Sequence, residues 1–186
     1  GFLTLDELLS LSDIVTLHVP FTTEGPDKTA GMASGEFFAR MRPGSAFINC
    51  SRGPVMQDGP LLDALRKGHI AYAAIDTWNH EPGIDRELLA RAFCATPHIA
   101  GYSVQGKAAG TAAVVRSVSE LYGLPLTEWY PPQVTPTVPD RSVTWDGLQR
   151  SLPRYFDIEA ETTYLKQHPE RFEELRNNYP YRTEYF

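Results

Sequence analysis

Four short apolar runs, each followed by a polar cluster and separated from the next by a capped amphipathic segment, predict an α/β fold with a parallel sheet for this 186-residue sequence. The runs are four to six residues long, the length of buried strands, and the segments between them carry helical spacing and end signals. Strand, helix, strand alternation at these spacings is the pattern of right-handed βαβ units.

Taken in order, Thr4 is placed to cap a short helix, with Glu7 at the capping-box position and Leu5, Leu8, Leu9 and Leu11 on one face. Ile14–Val19 is β-branched and apolar, and Pro20 ends it as a first strand. Residues 21–30 read as a loop. Ser34 caps a helix reaching Met41, and Pro43-Gly44 turns the chain. Ala46–Asn49 is the second strand. Asp58 is expected to cap a helix over Leu61–Lys67, which Gly68 closes. Ile70–Ile75 is the third strand, Asp85 starts a helix to Ala92, and Phe93–Thr96 is a short fourth strand. Gln105–Tyr122 reads as a longer helix with small residues on its packing side, stopped by Gly123.

Beyond Gly123 the composition changes. Pro125, Pro131, Pro132, Pro136 and Pro139 read as a linker or wrapping segment. From about Ser142 a second region follows, with helices expected around Ala160–His168 and Glu170–Asn177 and an aromatic end, Tyr179–Phe186. That tail is too small to fold alone, and exposed aromatics with arginine suit a partner-facing surface. The opening Gly1-Phe2-Leu3, with no initiator methionine, reads as a sequence cut from something longer.

The net charge of −6, with Lys and Arg scattered, argues against nucleic acid or an anionic membrane as the main partner. No apolar run is long enough to span a bilayer, and the start has no signal-peptide pattern. Cys50 and Cys94 do not make a disulfide framework; two thiols suit a reducing compartment, hence the cytoplasm. The histidines and cysteines lack metal-ligand spacing, so no metal is expected. No Gly-x-Ser-x-Gly elbow and no glycine-rich phosphate loop is present.

The chemistry-bearing clusters lie after the second, third and fourth runs: Asn49-Cys50-Ser51-Arg52-Gly53, Asp76-Thr77-Trp78-Asn79-His80-Glu81-Pro82, and Pro97-His98-Ile99-Ala100-Gly101-Tyr102. The C-terminal edge of a parallel sheet is where ligands bind. Arg52 beside Gly53 suits a bidentate grip on a carboxylate, and equally a surface ion pair. His98 suits proton transfer near neutral pH, and Glu81 is available to fix its tautomer; a plain Glu-Pro turn is the competing reading. His18, His69, His80 and His168 are read as structural. Asp76 ends an apolar strand, so it needs a partner and is either structural or aimed at a cofactor.

Together these clusters resemble the D-isomer-specific 2-hydroxyacid dehydrogenases over roughly Leu3–Leu121. The matches are the Asn-x-x-Arg-Gly turn with Arg52, the Asp-x-x-x-x-Glu-Pro exit with Asp76 and Glu81, and the Pro-His pair with His98. The resemblance implies the C-terminal part of a Rossmann-type doubly wound parallel sheet over residues 1–123, its N-terminal half missing. Residues 124–186 become a linker and a small α+β dimerisation region. It further implies NAD as cofactor and Arg52, Glu81 and His98 as catalytic residues. Asp76, Gly101, Cys50, Ser51 and Val19 would lie at the cofactor. Tyr102, with Arg52, would meet the substrate, and the Tyr102 block and the tail point to a branch that takes a small phosphorylated 2-hydroxy acid and forms homodimers. Other substrates of the same family, and a non-catalytic NAD-sensing or dimerising module, are the alternatives. Three departures stand out: the glycine-rich fingerprint and the N-terminal substrate domain are not in this sequence, Val19 stands where a threonine is usual, and Gln57 replaces an acidic residue, with Asp58 beside it as a substitute. Lys107 is a weak candidate for the phosphate.

Overall fold

Each strand forms where β-branched and apolar side chains can be buried on a pleated surface, and each helix starts at a residue whose side chain answers a free backbone N–H. The computed structural model describes residues 2–136, 142 and 144–184. Gly1, Pro139 and the last two aromatics of the tail, Tyr185 and Phe186, lie outside the described residues. The chain forms two compact units, one of Gly1–His98 with Ile158–Asn177, the other of Ile99–Asp157 with Asn178–Phe186.

The first unit holds α1 (Leu5–Leu11), β1 (Ile14–Leu17), α2 (Gly35–Arg40), β2 (Ser45–Asn49), α3 (Asp58–Arg66), β3 (Ile70–Ile75), α4 (Arg86–Arg91) and β4 (Cys94–Ala95). All four expected strands are present and pair in parallel in the order β1-β2-β3-β4. The pairing puts Leu17 beside Asn49 and Asn49 beside Ile75, so the chain leaves neighbouring strands at one edge. Phe37 and Phe38 of α2 pack edge-on against Phe47 of β2, with the Phe38 and Phe47 centroids 5.0 Å apart. Leu9, Leu61, Ile70, Ile75 and Leu88 complete a dry core around them.

Two later helices return to this unit: α7 (Ile158–Gln167) and α8 (Phe172–Asn177), joined by a single 3-10 turn over Pro169–Arg171. The Thr162 hydroxyl accepts from Ala95 N at 3.0 Å, and Lys166 Nζ donates to the carbonyls of Ala90 and Ala92 at 3.2 and 2.6 Å. Leu165 and Phe172 are buried in the same core, and Leu175 packs against it.

The second unit holds α5 (Val104–Tyr122), capped by the Ser103 hydroxyl and closed by Gly123 in the left-handed region, and α6 (Trp145–Tyr155). The tail lies along the chain before α5, with a parallel bridge between Ser103 and Arg182. Arg182 donates to the carbonyls of Ile99 and Ala100 at 3.0 and 2.5 Å.

The caps at Thr4, Ser34 and Asp85 form as expected, each accepting from the backbone three residues on. Asp58 does not: α3 begins at Asp58 itself, Gln57 holds the cap position without a side-chain bond, and the Asp58 carboxylate accepts from Asn79 Nδ2 at 2.8 Å. The first strand stops at Leu17, before His18 and Val19. The helix expected over Glu170–Asn177 divides at Phe172, and α6 was not expected at all, because Pro153 sits within it.

Candidate active site

Beyond Asn49, the last residue of β2, the chain must turn sharply, and the buried amide of Asn49 holds that turn together. Its Oδ1 accepts from Ser51 N at 3.2 Å and Ser51 Oγ at 2.7 Å, and its Nδ2 donates to the carbonyls of Arg52 and Thr77, both at 3.3 Å. One side chain therefore ties the exit of β2 to the exit of β3. Gly53 makes the second tie. A Cβ there would stand 1.9 Å from Trp78 O and 2.5 Å from Asn79 N, so only glycine lets the two loops touch. Asn79 Nδ2 adds a bond to Met56 O at 3.1 Å.

Arg52 rises from this braced turn. It is exposed, and its Nη1 donates to Ser51 O at 2.6 Å. Among the described residues no carboxylate lies within 4.0 Å of its guanidinium, which leaves a fixed cation ready for an anion.

Asp76, the first residue past β3, is buried, and its Oδ1 accepts from Thr96 Oγ1 at 2.7 Å. The loop then curls so that Glu81 folds back on its own start: Trp78 N donates to Glu81 Oε1 at 2.8 Å. Glu81-Pro82 is a cis peptide. The buried Trp78 ring donates from Nε1 to Thr96 O at 3.0 Å, linking this loop to the exit of β4.

At that exit stands His98, whose φ of 58° is in the left-handed region, at a cost of about 1–2 kcal/mol for a residue with a Cβ. Its backbone N donates to Asp76 O at 2.8 Å and holds the conformation. The ring turns Nδ1 to Glu81 Oε2 at 2.9 Å. Both side chains are largely shielded, at 21% and 18% exposure. Burial works against ionisation of Glu81, but the bonds from His98 and Trp78 N and the nearby Arg176 outweigh it and hold its carboxyl below the usual range. An ionised Glu81 can only accept, so Nδ1 carries the proton and the lone pair of the neutral ring is on Nε2, the arrangement a general base requires.

The remaining expected positions divide between the two units. Ser51 is buried, Cys50 half-buried, and Val19 packs at the border of the core. Burial, with the Asp76 charge beside it, pushes the Cys50 thiol up to about 11, so it is a neutral group. Gly101 and Tyr102 belong to the second unit. There the Tyr102 ring lies 5.6 Å from Tyr181 and 6.3 Å from Tyr179, with Lys107 Nζ 4.7 Å above it. The bracing roles of Asn49, Gly53, Trp78 and Thr96 emerge only from the structure. Only Asn49 and Gly53 carried a signal, as the two ends of the Asn-x-x-Arg-Gly turn. Among the described residues no group of three His, Cys, Asp or Glu could hold a metal, and no helix is long and apolar enough to cross a membrane.

Comparison with known proteins adds to this geometry. The family model for the D-isomer specific 2-hydroxyacid dehydrogenase NAD binding domain matches residues 1–100. An erythronate-4-phosphate dehydrogenase from Bacteroides thetaiotaomicron is 40% identical over 185 residues, 98% of this chain and 52% of that protein. The chain thus spans about half the length of the curated relatives it matches. Among solved structures, the apo form of Rhodotorula graminis D-mandelate dehydrogenase is similar at a TM-score of 0.56 and 29% identity, covering 73% of this chain and 39% of that one. A D-isomer specific 2-hydroxyacid dehydrogenase from Xanthobacter autotrophicus Py2, in complex with NADPH and MES, is similar at 0.52 and 33%, covering 65% and 49%.

Proposed function

The chain belongs to the D-isomer specific 2-hydroxyacid dehydrogenase family through its NAD binding domain, and from that premise we propose that it is part of an enzyme that oxidises 4-phospho-D-erythronate to 2-oxo-3-hydroxy-4-phosphobutanoate. The reaction would stand on the route to pyridoxal 5'-phosphate, in the cytoplasm. The observation that carries the chemistry is the contact of His98 Nδ1 with Glu81 Oε2 at 2.9 Å beside the braced Arg52 turn. The choice of substrate is supported by the 40% identity to a protein of that activity over nearly the whole chain.

The residues at the strand ends fit the nicotinamide end of NAD: a buried carboxylate already held by Thr96, a neutral half-buried thiol, and a half-buried valine. They do not supply its pyrophosphate end, since the sequence contains no Gly-x-Gly-x-x-Gly turn. A bound NAD would supply the acceptor for the hydride leaving C2. Asp76 would orient the carboxamide, with Val19, Cys50, Ser51 and Gly101 lining the cofactor. Arg52 would bind the substrate carboxylate and polarise the C2 oxygen. His98 Nε2 would accept the hydroxyl proton as the C2–H bond breaks and the carbonyl forms. Glu81 would offset the positive charge then left on the imidazole, and Tyr102 would contact the substrate. Residues 124–186 would supply a linker and the contacts of a homodimer.

The test is a substrate panel on the intact protein, followed by the absorbance of NADH. A kcat/KM for 4-phospho-D-erythronate about 100-fold above that for 3-phosphoglycerate or glycolate is expected. Preference for another 2-hydroxy acid would move the protein elsewhere in the family. No turnover with any of them would make it a binding module.

A further inference from the structure

The two helices that return to the sheet bring a cation to the Glu81–His98 pair. In α8, Phe172 is buried and Leu175 packs on the core, which seats the next residue, Arg176, over the loop after β3. Arg176 Nη1 lies 3.8 Å from Glu81 Oε2, the oxygen that also faces His98 Nδ1. Its Nε is shut away from water with no acceptor in reach. Among the described residues Glu81 is the only carboxylate within 4.0 Å of this guanidinium. The other charged groups nearby in sequence have their own company: His80 acts on Asp58, as does Asp85. The groups facing Glu81 are therefore His98 from the exit of β4, Arg176 from α8 and the Trp78 N–H of its own loop.

We propose that Arg176 is a positioning residue that holds the Glu81 carboxylate and limits how tightly the Glu81–His98 pair keeps a proton. Without a second cation, a carboxylate beside an imidazole stabilises the imidazolium strongly. A guanidinium on the same oxygen takes part of that charge and repels the imidazolium, so the base releases its proton more readily at the end of each cycle. The catalytic half of this inference rests on the proposed role of His98; the charge coupling itself does not.

Carbon-13 and nitrogen-15 NMR titration of the intact protein, labelled at Glu and His, tests the coupling. Arg176→Gln should raise the apparent midpoints of the pair by about half a unit or more, and Arg176→Met, which keeps the packed stem, should do the same. Arg176→Lys should stay near the wild-type midpoints. The acid limb of kcat/KM should move upward in step. Unmoved midpoints in the neutral variants, or loss of the fold in both, overturn the proposal and leave Arg176 a packing residue. A midpoint shift in the neutral variants that kcat/KM does not follow sustains the coupling and instead removes His98 from catalysis.

Discussion

Gly53→Ala is the substitution in which the fold and the site are most directly at stake. The added methyl would stand 1.9 Å from Trp78 O and 2.1 Å from Trp78 C, and both are backbone atoms in a loop held by Asn49, Thr96 and Glu81. No rotamer change relieves that, so the two loops must separate by more than an ångström. Overpacking of this kind costs about 1–3 kcal/mol. It also shifts Arg52 relative to Glu81, and misplacement by about 1 Å is enough to cost roughly 100-fold in rate. Gly59→Ala is the control: it lies in α3 with open space around the new methyl, and should be neutral or gain up to about 1 kcal/mol from helix propensity. Urea unfolding and kcat/KM of the two variants, in the intact protein, decide the matter. If Gly53→Ala unfolds and turns over like Gly59→Ala, the claim that Gly53 joins the two loops is wrong.

Three further outcomes are expected. Asn49→Ala should lower stability by about 2–3 kcal/mol, because the carbonyls of Arg52 and Thr77 lose their donor in a dry site; a loss below about 0.5 kcal/mol in urea unfolding would show the amide to be incidental. The Glu81 carboxyl is held below its ordinary value of 4.5, so its contribution to stability is fully present above about pH 4.5 and is lost as pH falls through the lower folded value. Unfolding curves of wild type and Glu81→Gln should therefore converge on acidification, and a gap that widens would reverse the sign of the argument. The Cys50 thiol, raised from 9.0 to about 11, should react with iodoacetamide at pH 8 about 100-fold more slowly than an unperturbed thiol; mass-resolved labelling at the rate of free cysteine would contradict it.

Much of this arrangement is legible in the sequence because it is local. Ile14–Val19 and Ala46–Asn49 read as strands from their β-branched and apolar runs, against observed bounds of Ile14–Leu17 and Ser45–Asn49, and Thr4, Ser34 and Asp85 read as caps because the bond each makes spans three residues. Arg52, Glu81 and His98 stand out as polar residues at apolar strand exits, and the parallel sheet then delivers Glu81 and His98 to each other. Contacts between distant segments were not legible. The glycine in the Arg-Gly turn signals a close backbone approach, but not that the backbone in question belongs to Trp78 on the next strand exit. Chain order gives no hint that α7 and α8 join the unit of the sheet, so by sequence alone Arg176 belongs to a distant tail. The cap of α3 differs from expectation because an aspartate at a helix start usually serves the helix itself, whereas the Asp58 carboxylate answers Asn79 across the loop. Pro153 hid α6 by breaking the pattern that would have revealed it.

Under the proposed function His98, oriented by Glu81, moves the substrate proton. Single-turnover formation of NADH by the intact protein with 4-phospho-D-erythronate, compared between wild type and His98→Asn, tests it most directly. A rate lower by about 100-fold or more, with substrate affinity little changed, is the predicted result. Turnover within a few-fold of wild type would contradict it.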